Sequence, residues 1–130
     1  MRDFYFFTSK PITAQDCYEM LKKEIKNIEG TADPNEVNLW INAKSRSFLW
    51  FYNDRLTDFS FGGEEELEKE KKRIPIQDPY INHFETHRSI DVKRVISVLM
   101  KIYPEIYIEE DDCPPWYGTA QEYLDAKFHY

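Results

Sequence analysis

The chain has 130 residues, of which 42% are hydrophobic and 16% aromatic, and its formal net charge is −7. That length fits one domain with a real hydrophobic core, and the charge argues against binding a nucleic-acid backbone or an anionic membrane, since both need a basic face. The longest apolar run is short of a membrane span, the first residues lack the pattern of a signal peptide, and Cys17 and Cys113 are too few for a disulfide framework, so a cytoplasmic protein is expected.

Phe4 to Thr8 is an aromatic-rich strand that Pro11 ends. Thr13 and Asp16 resemble a capping box, and Cys17, Leu21, Ile25 and Ile28 then recur at helical spacing with lysines on the other side. Gly30 suits the position just past the end of this first helix. Cys17 sits on its apolar stripe and is expected to be inert. Val37, Leu39, Ile41 and Ala43 alternate with Asn38, Trp40 and Asn42, the pattern of a half-buried strand. Residues 44–47 read as a turn, Phe48 to Tyr52 as a strand covered on both faces, Asn53 and Asp54 as a second turn, and Leu56 to Phe61 as a weaker strand. Three short-linked strands here imply an antiparallel meander.

From Glu64 to Arg73 acidic residues lead and basic ones follow, which suits a helix dipole and i,i+4 pairing. Leu67 is the one apolar residue among them, so the sequence predicts a charged, exposed insertion at about 62–74 with nothing to anchor it. Pro75 and Pro79 keep the next residues extended. Tyr80 to His87 reads as a strand. Ser89 then caps a helix reaching about Ile102, with Val92, Val95, Ile96, Leu99 and Met100 on one stripe. Pro104 stops it, and Ile106 to Glu109 is a further strand. A helix of this length makes a crossover that leaves its two strands parallel in one sheet, with or without another strand between them. Thr119 to Glu122 is a full capping box that opens a short C-terminal helix, packed through Tyr123, Leu124 and Phe128.

The expected fold is α+β, with residues 1–130 as a single domain. A mixed, mainly antiparallel sheet of five or six strands carries two main helices and a short C-terminal one. Its element order resembles a ferredoxin-like plan with extra strands. Leu21, Ile25, Leu39, Ile41, Val95, Ile96, Leu99, Ile106 and Ile108 are the expected core.

Little in the chain points to chemistry. Gly62 and Gly63 lack the spacing and the lysine of a phosphate loop. Cys113 precedes two prolines and has no partner motif. His83, Glu85 and His87 are spaced by two, share one face of a strand and are all metal-ligand types. The plain alternative is a polar outer face, and a metal would need further ligands, such as Asp91 or His129. The expectation is therefore no metal, no cofactor and no catalytic residue, with a small metal-binding or hydrolytic domain as the alternative. The strongest feature is acid beside aromatic. Glu105 to Asp112 holds five carboxylates and no base, and Trp116 and Tyr117 follow in a Pro-Pro segment. Glu109, Glu110, Asp111 and Asp112, with Trp116 and Tyr117, are expected to bind a basic protein partner. Trp116 folded back as a lid on the core is the competing arrangement.

In size, acidity, aromatic richness and α+β plan, the whole chain resembles small acidic bacterial immunity proteins. That resemblance implies a cytoplasmic protein which neutralises a cognate toxin domain, often a nuclease, by electrostatic complementarity. It rests on no motif, so no residue role is carried over with it.

Overall fold

The aromatic strand at the N-terminus, β1 (Arg2–Thr8), lies inside the sheet and feeds two cores. Because side chains alternate along a strand, Phe4 and Phe6 enter one cluster while Phe7 enters another, flanked by Tyr5. In this computed structural model the described residues are 2–25, 29–33, 36–42, 45–56, 63–86, 89–103, 105–110 and 115–127.

β1 pairs antiparallel with β5 (Tyr80–Thr86) on one side and β6 (Ile106–Glu110) on the other. β5 and β6 are therefore parallel to each other, with β1 between them. The helix that joins them, α3 (Ser89–Leu99), makes the expected crossover. β4 (Ser45–Arg55) pairs with β5, so the central strands run β4-β5-β1-β6. With α3 and α1 (Ala14–Glu24) they reproduce the β-α-β-β-α-β order read from the sequence.

The sheet is larger and more uniform than expected. Among the described residues it has seven strands, β2 (Glu29–Asp33), β3 (Glu36–Asn42) and β7 (Trp116–Thr119) completing the order β2-β3-β4-β5-β1-β6-β7, and every neighbouring pair there is antiparallel, not mixed. The strands that sequence pattern missed are the two edges, β2 and β7. Both are short, contain glycine and lack an apolar row, because an edge strand is held by its neighbour's backbone more than by side-chain burial. β2 also explains why α1 stops at Glu24 and not near Gly30. Ile25 is already extended (φ −105°, ψ 113°), and Gly30 pairs with Leu39 of β3 (Glu36–Asn42). β4 continues through the turn expected at Asn53 and Asp54, with an irregularity in its pairing to β5 between Phe51 and Arg55. The weak strand placed at 56–61 falls, after Leu56, outside the described residues, as does Ile28.

α1 and α3 cover one face. Leu21, Val95, Ile96, Leu99, Ile106 and Ile108 are all buried there, as expected, and Ile25 is half-buried. The side chains of Leu39 and Ile41 lie outside the described set. Cys17 is fully buried, and burial pushes its thiol far above the usual range, which leaves it unreactive. The N-cap of α1 is as read, with the Asp16 amide donating to Thr13 Oγ1 at 3.1 Å.

The other face holds the larger surprise. Glu64–Arg73 is a ten-residue helix, α2, and it is anchored. Leu67, Glu70 and Arg73, three apart, turn inward, and Ile74 and Ile76 follow into the second core with Ile81 and Tyr107. Lone Leu67 looked too little to dock this segment because Glu70 and Arg73 were counted as solvated charges. The remaining charged residues of α2 are exposed, as expected. Finally α4 (Ala120–Asp125) carries the full capping box between Thr119 and Glu122. Lys93 on α3 donates to the carbonyls of Leu124 and Ala126 at the end of α4 and so fixes it to the body. Among the described residues no helix is long and apolar enough to cross a membrane.

Candidate functional site: the acidic edge of the sheet

β6 and β7 form a hairpin at one edge of the sheet, with Glu110 opposite Trp116, Glu109 opposite Tyr117 and Ile108 opposite Gly118. The expected site residues are thus neighbours, but they point to opposite faces. Glu110 and Trp116 face the α1–α3 side, and Glu109 and Tyr117 face α2.

The two glutamates are not free surface charges. Glu109 is 7% exposed and Glu110 3%. The expectation of a solvated acidic strand end therefore fails for both, because β7 and α2 cover positions that sequence left open. Asp111 and Asp112 lie outside the described residues. On the α2 side, Arg73 Nη1 donates to Glu70 Oε1 at 2.8 Å and to Glu109 Oε1 at 3.3 Å. The same guanidinium lies 4.1 Å above the centre of the Tyr117 ring, a cation–π contact. Burial pushes the Glu109 carboxyl up to about 8, and hydrogen bonding to Glu70 and its charge add to the rise, while Arg73 opposes it. Glu70 beside it disfavours the charged form of Glu109, and the guanidinium between them favours it. The group is built to stay closed: it docks α2 against β6.

Trp116 adopts the competing arrangement. It is half-buried and packs edge-on against Tyr123, with ring centroids 5.1 Å apart and an interplanar angle of 81°. Its ring fills the space where a side chain on Gly118 would stand. A Cβ built there would lie 2.7 Å from Trp116 Cη2. Trp116 is a lid on the first core, and Tyr117, 40% exposed, is the aromatic residue offered to solvent.

The carboxylates that are exposed along this edge are Glu105 before β6, counted in the acidic stretch but not among the expected site residues, and Glu122 and Asp125 on α4, which the sequence reading passed over. A cavity of about 270 Å³ opens beside them. Tyr103, Glu105, Tyr107, Thr119 and Gln121 are among its lining residues. Their signal was the lack of any lysine or arginine between Lys101 and Lys127, but the expected site ran only from Glu109 to Tyr117.

A second group lies across the sheet. His83 Nε2 is 3.1 Å from Asp3 Oδ1, and Glu85 completes a cluster whose potential ligand atoms lie within 4.8 Å of one another. His83 and Glu85 share a face, as their spacing implies. His87 and His129 lie outside the described residues. Asp91 is buried on α3, on the helix side of the sheet, and does not join them. Asp3 is the member that sequence spacing could not supply, because it comes from another strand, placed by the β1–β5 register. No known protein family, curated protein or solved structure matches this chain.

Proposed function

We propose that this protein is a non-enzymatic binding protein that neutralises a basic protein partner, as a cytoplasmic immunity protein does its cognate toxin. The observation that carries this reading is where the charge lies. Residues 102–126 hold seven carboxylates and no lysine or arginine, which equals the net charge of the whole chain, so acid and base balance elsewhere. This segment folds into β6, β7 and α4, side by side at one edge of the sheet. Arg73 offsets Glu109, and Glu110 is buried, so the outward field comes from Glu105, Glu122 and Asp125, and Asp111 and Asp112 belong to the same segment. Such a field speeds encounter with a basic surface and repels nucleic acid and anionic lipid. Tyr117 supplies an aromatic contact that can be desolvated. β7, the last strand of the described sheet, offers its outer backbone edge to an incoming segment.

The test takes basic proteins encoded near this one in its source genome as candidate partners. Glu105→Lys with Asp125→Lys should slow association roughly tenfold at low salt and flatten its salt dependence. Tyr117→Ala should act mainly on dissociation. If a partner binds the double variant with unchanged association rates at low and high salt, recognition does not use this edge.

A further inference from the structure

We propose that Asp3, His83 and Glu85 form a binding site for a divalent transition-metal ion on the face of the sheet opposite α1 and α3. The three side chains come from two paired strands. In the β1–β5 register Asp3 lies opposite Glu85 and Tyr5 opposite His83. Asp3 and Tyr5 share one face of β1, and His83 and Glu85 share the same face of β5, so one imidazole and two carboxylates converge on rigid backbone. The potential ligand atoms lie within 4.8 Å of one another. An ion equidistant from three atoms at that spacing would stand roughly 2.8 Å from each, and drawing them in to the usual 2.0–2.2 Å takes about 0.6 Å of movement per side chain. Rotamer adjustment supplies that without moving either strand.

The ring of Tyr5 stacks on His83 with centroids 4.9 Å apart and planes 18° off parallel, which fixes the imidazole plane. Burial lowers the proton affinity of His83, and Asp3 opposes that shift. Burial raises the Glu85 carboxyl, and its hydrogen bond to Asp3 and the Asp3 charge raise it further. A dication relieves this crowding directly. The Asp3 side chain is 45% exposed and leaves an approach from solvent. One nitrogen with two oxygen donors suits zinc, manganese or ferrous iron better than magnesium or calcium, which favour all-oxygen sets. Three protein ligands leave coordination positions for water.

The experiment is calorimetric titration of untagged, chelator-treated protein with zinc chloride, repeated with cobalt(II) to read the visible spectrum. The expected result is one equivalent bound with Kd at or below roughly 10 µM, and protein ligands visible in the cobalt spectrum. Asp3→Asn and Glu85→Gln, both close in shape to the native residues, should each weaken binding at least about tenfold with an unchanged circular dichroism spectrum. His87→Ala should bind as the parent does. The absence of saturable zinc binding by the parent protein would overturn the proposal. So would loss of binding in His87→Ala with retention in Asp3→Asn.

Discussion

Replacing Glu109 with glutamine should make the protein more stable in mild base and leave it nearly unchanged in acid. The ordinary carboxyl value of 4.5 is pushed up to about 8 in the folded chain, by burial first and then by Glu70. Below pH 4.5 both folded and unfolded chains hold the proton, and the stabilisation is fully present. Between 4.5 and about 8 the unfolded chain releases the proton while the folded chain keeps it, so stability falls as pH rises. Above about 8 both states are ionised and the loss is complete. At 1.36 kcal/mol for each pKa unit the ceiling is about 5 kcal/mol. The opposing pull of Arg73 is already contained in that rise, and water reaching the ionised pair relaxes it further, so a loss of about 1–3 kcal/mol is expected. Glutamine copies the protonated acid, because its amide N–H can donate to Glu70, and it has nothing to ionise. Urea melts of both proteins from pH 5 to 8.5 give the difference curve. His83 and Glu85 titrate in both proteins and cancel from it. The gain from Glu109→Gln should grow with pH, and the protection factors of the α2 amides in the parent should fall over the same range relative to those in the variant. A difference that stays constant from pH 5 to 8.5 would show that the fold does not raise the Glu109 carboxyl.

Two further outcomes test the packing. Leu99→Ala, at a fully buried position in the first core, should cost about 2–5 kcal/mol in a denaturant melt, and a value near zero would mean that the α3 stripe is misplaced. Gly118→Ala should cost about 1–3 kcal/mol, since the new Cβ meets the Trp116 ring at 2.7 Å, and near-ultraviolet circular dichroism should report the displaced indole.

The central fold was legible because its elements carry strong local patterns. The Phe4–Thr8 strand, the Val92–Leu99 stripe and the Thr119–Glu122 capping box each appear where periodicity and caps placed them. The expected crossover left room for a strand between its partners, and β1 fills that place. What stayed hidden was whatever depends on a neighbour. β2 reads Glu-Gly-Thr-Ala-Asp and has no side-chain pattern to betray it, since its pairing partner is β3. Asp3 is an unremarkable strand residue until β5 lies beside it.

The acidic edge shows the same limit in its strongest form. Glu64–Arg73 and Glu109–Asp112 each read alone as solvated charge, one self-neutralising and one not. Folded together, the first supplies Arg73 to the second, 36 residues away, and both Glu70 and Glu109 leave the solvent. The trace in the sequence was the i, i+3, i+6 spacing of Leu67, Glu70 and Arg73, a helical stripe in which two of three members are charged. A hydropathy rule discards such a stripe, although a buried acid paired with arginine costs far less to desolvate than one alone. Arg73 cancels charge where the strand end was expected to be bare, and so the unbalanced field moves outward to Glu105, Glu122 and Asp125. A basic partner drawn by that field would meet the α4 side of the edge first and reach Tyr117 second, which is why the charge reversals belong at Glu105 and Asp125 and not at Glu109 or Glu110.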